Sequence, residues 1–324
     1  MKESLYLGID IGGTSIKLGL IKETGEIIIN WEIPTDNTQS ALAFSNYIWN
    51  SIKSTQSQED LDEHKIKAIG IGSAGFVNDD TGMIYESVNI GWKNISLGES
   101  LSKLSGIPVY VGNDANVAAL GELWQGNAKG EDNIITITLG TGVGGGIIVN
   151  GKIINGENGV AGEIGHIIVD PQGKTCNCGR RGCLETIASA TGIVNEAKQI
   201  MKKKSHSQLV SFFEENGTIS SKDVFYLAAE GDEGAIEVLE KIGDVLGLAI
   251  ANLGVIINPG MVLIGGGVSK AGEQLLSVVR KSFNKYALAR VKDACEIKIA
   301  SLGNDAGIIG AAYLAKSKHT EYSL

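Results

Sequence analysis

An apolar run from Leu5 to Asp10 breaks at Gly12-Gly13-Thr14, and an apolar pattern resumes from Ser15 to Ile21 before the polar step Lys22-Glu23-Thr24-Gly25-Glu26. That order predicts strand, glycine turn, strand, turn and a further strand. The same grammar returns at Ile134 to Leu139, then Gly140 to Gly146 as a glycine loop, Ile147 to Val149, the Asn150-Gly151 turn and Lys152 to Ile154. Two copies of one pattern imply an internal structural repeat. Between them the periodicity predicts helices at 40–55, 97–105 and 115–124 and strands at 66–72 and 109–112. Helices are expected later at 191–203, 220–230, 233–253, 274–286 and 306–316. Strands alternating with helices make an α/β protein.

The uncharged stretch Val245 to Ser269 is long enough to cross a bilayer. Asn258-Pro259-Gly260 and Gly265-Gly266-Gly267 interrupt it, so it is read as a buried helix, a turn and a buried strand. The first residues carry no signal-peptide pattern, and a cytoplasmic protein without membrane partners is expected. Polar or charged runs at Gln56 to Glu63 and Lys202 to Lys204 are read as solvated loops or faces.

With 324 residues and 43% apolar content, the chain can bury a large core and is not of the disordered class. Its 44 glycines against 4 prolines point to turns defined by bare backbone. A net charge of −9 removes the field that gathers proteins on phosphodiester, so nucleic acid is not an expected partner.

Spacing sorts the glycine motifs. Gly146 to Lys152 has the glycines and lysine of a Walker A loop, but Ile153 follows where Ser or Thr is required. Gly173-Lys174-Thr175 has Ile168 where the first glycine belongs. A Rossmann turn needs a helix after its glycines, whereas β-branched residues follow Gly140 to Gly146. The remaining readings are tight hairpins of an ordinary sheet, or hairpins whose backbone N–H groups close around phosphate, with Thr14 and Thr141 adding hydroxyls.

Asp114 lies in Gly112-Asn113-Asp114-Ala115-Asn116, after an apolar strand and at a helix start. Spacing leaves two roles open, helix capping and acid–base chemistry at a strand's carboxyl end. Cys176, Cys178 and Cys183 cluster in a segment rich in Gly and Asn, ten residues after His166. Three Cys and one His complete a closed tetrahedral shell of the structural zinc type. Cys295 is read as a small apolar residue in a strand.

Asp10-Ile11-Gly12-Gly13-Thr14 with Lys17, the Gly140 loop, Gly265-Gly266-Gly267, Glu163-Ile164-Gly165-His166 and the run Cys176 to Glu185 together resemble the ROK family (repressors, open reading frames, kinases). Among its actin-like sugar kinases the sequence is most similar to the bacterial ATP-dependent glucokinases. The resemblance covers nearly the whole chain. It implies two actin-like, ribonuclease H-like α/β lobes, residues 1–118 with 305–324 and residues 119–304, with ATP in the cleft and sugar binding closing the lobes. It also implies a kinase that phosphorylates the 6-hydroxyl of glucose, with Mg2+ and a structural Zn2+.

By the same resemblance Asp114 is the general base, and Asp10 orients Mg2+ and phosphate. The phosphate and adenosine contacts are Gly12, Gly13, Thr14, Lys17, Gly140, Thr141, Gly142, Gly144, Gly265, Gly266 and Gly267. The sugar contacts are Gly75, Asn89, Asn113, Asp114, Glu163, His166 and Glu185, and the zinc ligands are His166, Cys176, Cys178 and Cys183. Such carboxylate, amide and imidazole groups suit a polyhydroxylated substrate. Ala74 stands where the family commonly has Pro.

Asn89-Ile90-Gly91-Trp92 leans towards glucose over mannose, N-acetylglucosamine or N-acetylmannosamine, with Trp92 expected to pack rather than stack. A sugar-responsive repressor would need an N-terminal helix-turn-helix, and the first strand begins by Leu5. A chaperone-type ATPase would not need Glu163, His166 and Glu185. A homodimer or homotetramer is expected from the resemblance alone.

Overall fold

The computed structural model describes residues 4–36, 40–59, 61, 66–79, 81–87 and 90–321, and the elements below are those among them. The chain opens with β1 (Leu5–Ile11), β2 (Ser15–Lys22) and β3 (Ile27–Pro34), then α1 (Ala41–Gln58) and β4 (Ile66–Ser73). Three short strands follow, β5 (Phe76–Asn78), β6 (Met83–Ser87) and β7 (Trp92–Ile95), and then α2 (Leu97–Ser105), β8 (Val109–Asn113) and α3 (Asp114–Gln125). The second copy of the pattern is β9 (Ile134–Leu139), β10 (Val143–Val149) and β11 (Lys152–Ile153). Helices α4 (Glu185–Ala188), α5 (Ala190–Lys203), α6 (Gln208–Asn216), α7 (Ser221–Ala229) and α8 (Glu233–Ile257) come next. The chain closes with β12 (Met261–Gly265), α9 (Glu273–Tyr286), α10 (Ala289–Ala294), β13 (Glu296–Ile299) and α11 (Ala306–Glu321).

Two sheets repeat one topology: β3-β2-β1-β4-β8 and β11-β10-β9-β12-β13. In each, the central strand pairs antiparallel with the hairpin strand after it and parallel with the next strand of the order. The last pair of each sheet is also parallel. This bears out the repeat read from the two glycine hairpins. Asn150 and Gly151 both adopt positive φ, as a two-residue hairpin turn with the right twist requires.

Two compact units divide the chain: Met1–Gly130 with Ile153–Ala161 and Leu302–Leu324, and Glu131–Lys152 with Gly162–Ser301. The boundary expected at Ala118 falls inside α3. That helix cannot be divided there, because a Cβ on its Gly121 would come 3.1 Å from Gly310 N of α11, so the two helices pack backbone to backbone.

In the first unit the alternation of β1 sends Leu7, Ile9 and Ile11 to one face, where they meet Phe44, Ile48 and Ile52 of α1 and Leu97 and Leu101 of α2. Tyr6 faces the other way, with Ala68, Ile308, Ile309, Ala312 and Ala315, which is where α11 docks. Gly8 and Gly70 lie under α11, and a side chain on either would run into the carbonyls of Ile308 and Ala311. Trp92 packs edge-to-face on Phe44, with ring centroids 4.6 Å apart.

The second unit buries Ile135, Ile137, Leu139, Val262 and Ile264 among α5, α7, α8 and α9. The uncharged stretch is the end of α8, an Asn258 cap in the left-handed region, and β12. No helix among the described residues is long and apolar enough to cross a membrane.

Several local readings are corrected. Gly144, Gly145 and Gly146 belong to β10, paired with Thr138, Ile137 and Thr136, so the glycine loop shrinks to the turn Gly140-Thr141-Gly142. At Gly145 the lack of a side chain serves packing, since a Cβ there would sit 2.5 Å from Gly162 O. Cys295 caps α10 rather than sitting within β13. Helix α1 runs on to Gln58 and buries Gln56. The sheet β5-β6-β7, α6 and α10 had no counterpart in the periodicity, because short elements hold too few residues to show a period.

Candidate active site

The carboxyl ends of β1, β4 and β8 lie side by side in the first unit, with Asp10 opposite Gly72 and Ser73 opposite Asn113. Asn113 caps α3: its Oδ1 accepts from the N–H groups of Ala115 (2.9 Å) and Asn116 (3.2 Å), and its Nδ2 donates to Gly75 O (3.0 Å). Capping therefore falls to Asn113. Asp114 Oδ1 accepts from the Ala115 N–H (2.8 Å), its own backbone N–H also bonds the carboxylate, and among the described residues no side chain pairs with it. Burial raises the Asp114 carboxyl above the ordinary carboxylate range, against the backbone hydrogen bonds that lower it.

Asp10 is pushed up to about 6, by burial first and then by the nearby charge of Asp114, with Lys17 opposing. Lys17 is its direct neighbour across the β1–β2 ladder. The glycine turn after β1 is closed by Gly12 N–H to Ser15 O (2.9 Å), while Thr35 Oγ1 donates to Gly12 O (2.8 Å). Gly13 and Thr14 are exposed at its tip. Gly75 has a φ of 107°, where a Cβ would strike Glu86 and Ser87. Asn89 lies outside the described residues.

In the second unit the Gly140-Thr141-Gly142 turn follows β9, while Gly265 ends the neighbouring β12 and Gly266-Gly267 follow it. Gly266, with a φ of 84°, lets that turn lie against the end of β9, since a Cβ there would come 2.5 Å from Leu139 O. Gly142 lies close to the Glu185 carboxylate, since a Cβ on it would stand 2.9 Å from Oε2. Ala190 N–H and Thr191 Oγ1 of α5 donate to Gly140 O (2.8 Å) and Thr141 O (3.0 Å), which ties the turn to the start of that helix.

His166, Cys176, Cys178 and Cys183 bring one ligand atom each within 4.8 Å of all the others. His166 Nδ1 stands 3.7 Å from Cys176 Sγ, and the sulfurs of Cys178 and Cys183 are 3.6 Å apart. Tetrahedral ligands on zinc–sulfur bonds of about 2.3 Å would be separated by about 3.8 Å, so both the donor set and its spacing fit Zn2+. The hairpin is held by Cys176 N–H to Arg180 O and Gly182 N–H to Lys174 O, both 2.8 Å. Hydrogen bonds from the Arg180 backbone and side chain lower the Cys178 thiol to about 6, favouring the thiolate that a metal requires.

Glu185 Oε1 accepts from Cys176 Sγ (2.9 Å) and lies 3.8 Å from His166 Nδ1, while Glu163 Oε2 is 4.0 Å from His166 Nε2. The structure thus gathers Glu163, His166 and Glu185 in one cluster, with Nδ1 facing the thiols and Nε2 facing Glu163. Sequence reasoning missed Glu196 of α5, which pairs with Lys174 of the thiol hairpin. A signal existed: Glu196 occupies the apolar stripe of Ile193, Ala197 and Ile200, where a charge is out of place.

The ROK family matches residues 6–318 of the chain. A glucokinase of Halalkalibacterium halodurans is 46% identical over 319 residues, 98% of this chain and 97% of that protein. A glucokinase of Thermotoga maritima is 36% identical over 319 residues, 98% of this chain and 99% of that protein. Among solved structures, a ROK family glucokinase from Streptomyces griseus in complex with glucose and AMPPNP has a TM-score of 0.79 at 36% identity, covering 97% of this chain and 100% of that one. The repeated sheets are those of the actin-like ATPase fold shared by such kinases. With the family matched from the first strand to the last helix, the chain belongs to the ROK family.

Proposed function

We propose that the protein is an ATP-dependent glucokinase that transfers the γ-phosphoryl group of ATP to the 6-hydroxyl of glucose. The observation that carries this reading is Asp114, a buried carboxylate at the start of α3 whose helix is already capped by Asn113. Phosphoryl transfer asks the protein for positioning, charge neutralisation and a group to take the proton of the attacking hydroxyl. Asp114 takes that proton as the 6-oxygen attacks phosphorus, and a carboxyl raised by burial is a better base near neutral pH than an ordinary one. Asn113 holds a neighbouring sugar hydroxyl, and Glu163, His166 through Nε2, and Glu185 hold others.

The four-residue Cys and His set would hold Zn2+, with His166 binding through Nδ1. Bound there, zinc supplies a fixed scaffold for the hairpin, and Glu163 and Glu185 orient the sugar. Asp10 is the residue that would hold Mg2+, because a buried carboxylate beside a second one is relieved by a cation. Mg2+ neutralises charge on the phosphates of the bound nucleotide. The N–H groups of Gly12 and Gly140 close their own turns, which leaves those of Gly13, Thr14, Thr141 and Gly142 to serve as phosphate donors, with Lys17 adding a positive charge, and the turn Gly265 to Gly267 receives the adenosine.

A coupled ADP-release assay with ATP and Mg2+ tests the reading against glucose, mannose, fructose, N-acetylglucosamine and N-acetylmannosamine. Preference for glucose is expected. Preference for an N-acetyl sugar would replace the substrate, and no turnover with any sugar by folded, zinc-loaded protein would overturn the kinase reading.

A further inference from the structure

The second unit contains a buried charge that the kinase chemistry does not use. Glu196 is 6% exposed, in the middle of α5, yet it faces two lysines from different parts of the chain. Its Oε1 accepts from Lys174 Nζ and its Oε2 from Lys241 Nζ of α8, both at 2.6 Å. Burial disfavours the charged carboxyl, but the hydrogen bonds from the two lysines outweigh it and hold Glu196 below the usual carboxylate range. Lys174 belongs to the hairpin that carries the three thiols, and its carbonyl accepts from Gly182 N–H at the far side of that hairpin (2.8 Å).

Helix α5 is joined to the site at three places. Its first residues bond the Gly140-Thr141-Gly142 turn. Through its Ser189 cap it continues directly from α4, whose first residue is Glu185, and Ser189 Oγ donates to Glu185 O (2.6 Å). Through Glu196 it grips the base of the thiol hairpin.

We propose that Glu196 is a positioning residue for sugar and metal binding, clamping the Lys174 end of the thiol hairpin to α5 so that His166 and the thiols are held in register with Glu185. The Lys174 arm reaches the hairpin, and the Lys241 arm anchors Glu196 to α8. The two arms therefore have different consequences. The proposal rests on the kinase reading for its sugar readout, but its metal readout is independent of that reading.

The test compares Glu196→Gln, Lys174→Met and Lys241→Met as zinc-loaded full-length proteins. Zinc release to a chromophoric chelator is followed alongside steady-state kinetics. Glu196→Gln and Lys174→Met are expected to speed zinc release and raise KM for glucose by about tenfold each, the low end for loss of a group that orients metal ligands, with kcat and KM for ATP within about twofold. Lys241→Met is expected to lower the melting temperature while changing zinc release and glucose KM little.

Zinc release and glucose KM unchanged in folded Lys174→Met would overturn the proposal. So would equal effects of the two lysine substitutions, which is the pattern of a merely structural ion pair. Should Glu196→Gln fail to fold, the two lysine variants decide the matter, since both lysines are partly exposed. Should the wild type turn over no sugar, the kinase reading fails while the contrast in zinc release still decides the role of Glu196.

Discussion

Asp114 and Asn113 divide work that spacing alone had left undivided. Because Asn113 satisfies the first N–H groups of α3, Asp114→Asn is expected to lower kcat by at least about 100-fold, the low end of general-base effects. Its melting temperature should match or exceed the parent's, because a charge disfavoured by burial has been removed. Near-parental turnover in the folded variant would remove Asp114 from the mechanism. In the parent, kcat/KM for glucose should fall on the acid side with an apparent pKa above the ordinary aspartate value of about 3.9, since the base must be deprotonated.

Asp10 gives a stability signature of defined sign. Its folded carboxyl sits at about 6, above the unfolded value, so it contributes fully below about pH 4 and the contribution is lost as pH rises through about 6. Asp10→Asn in metal-free protein should therefore be more stable than the parent at pH 8, by at most roughly 3 kcal/mol, and as stable as the parent at pH 4. Thermal melts at the two pH values measure this, and an equal difference at both would contradict it.

At the scale of elements, the thiol hairpin and α11 show two ways of fixing a segment. The hairpin has few apolar residues of its own and depends on its ligand set. Cys178→Ser, which leaves three of the four ligands, should lose zinc and with it glucose affinity, measured by metal analysis and equilibrium sugar binding. Metal-free protein that binds glucose normally would contradict the architectural role.

Helix α11 is held instead by close backbone approach. Its Gly310 meets the Val117 carbonyl of α3, and Gly70 of β4 lies under the Ala311 carbonyl. Gly70→Ala should cost at least the roughly 1–3 kcal/mol typical of overpacking, read from urea unfolding. A variant as stable as the parent would show that α11 can move away from the sheet.

On the scale of the whole molecule, the first unit is assembled from three separate stretches of chain, and the last of them supplies α11. A chain ending at Ser301 would leave Tyr6, Ile21 and Ala68 without Ile308, Ile309 and Ala312, so it is expected not to fold cooperatively, by circular dichroism and denaturant titration. The α/β class, the repeated strand–glycine–strand units, the Asn150-Gly151 turn, the end of α8 and the thiol cluster are all legible along the chain. Each is written locally, in period, in turn chemistry or in the spacing of a few residues.

Other features arise only on folding. Asn113 rather than Asp114 caps α3, because that depends on the direction of each side chain at the strand end. Gly144 to Gly146 pair with β9 as part of β10, and Gly145 has no room for a side chain because Gly162 and Ile164 approach it from elsewhere in the chain. His166 turns Nδ1 to the thiols, and Glu196 is buried between lysines 22 residues before it and 45 residues after it. Partners that far apart leave no mark on local pattern, because they meet only when the chain between them has folded.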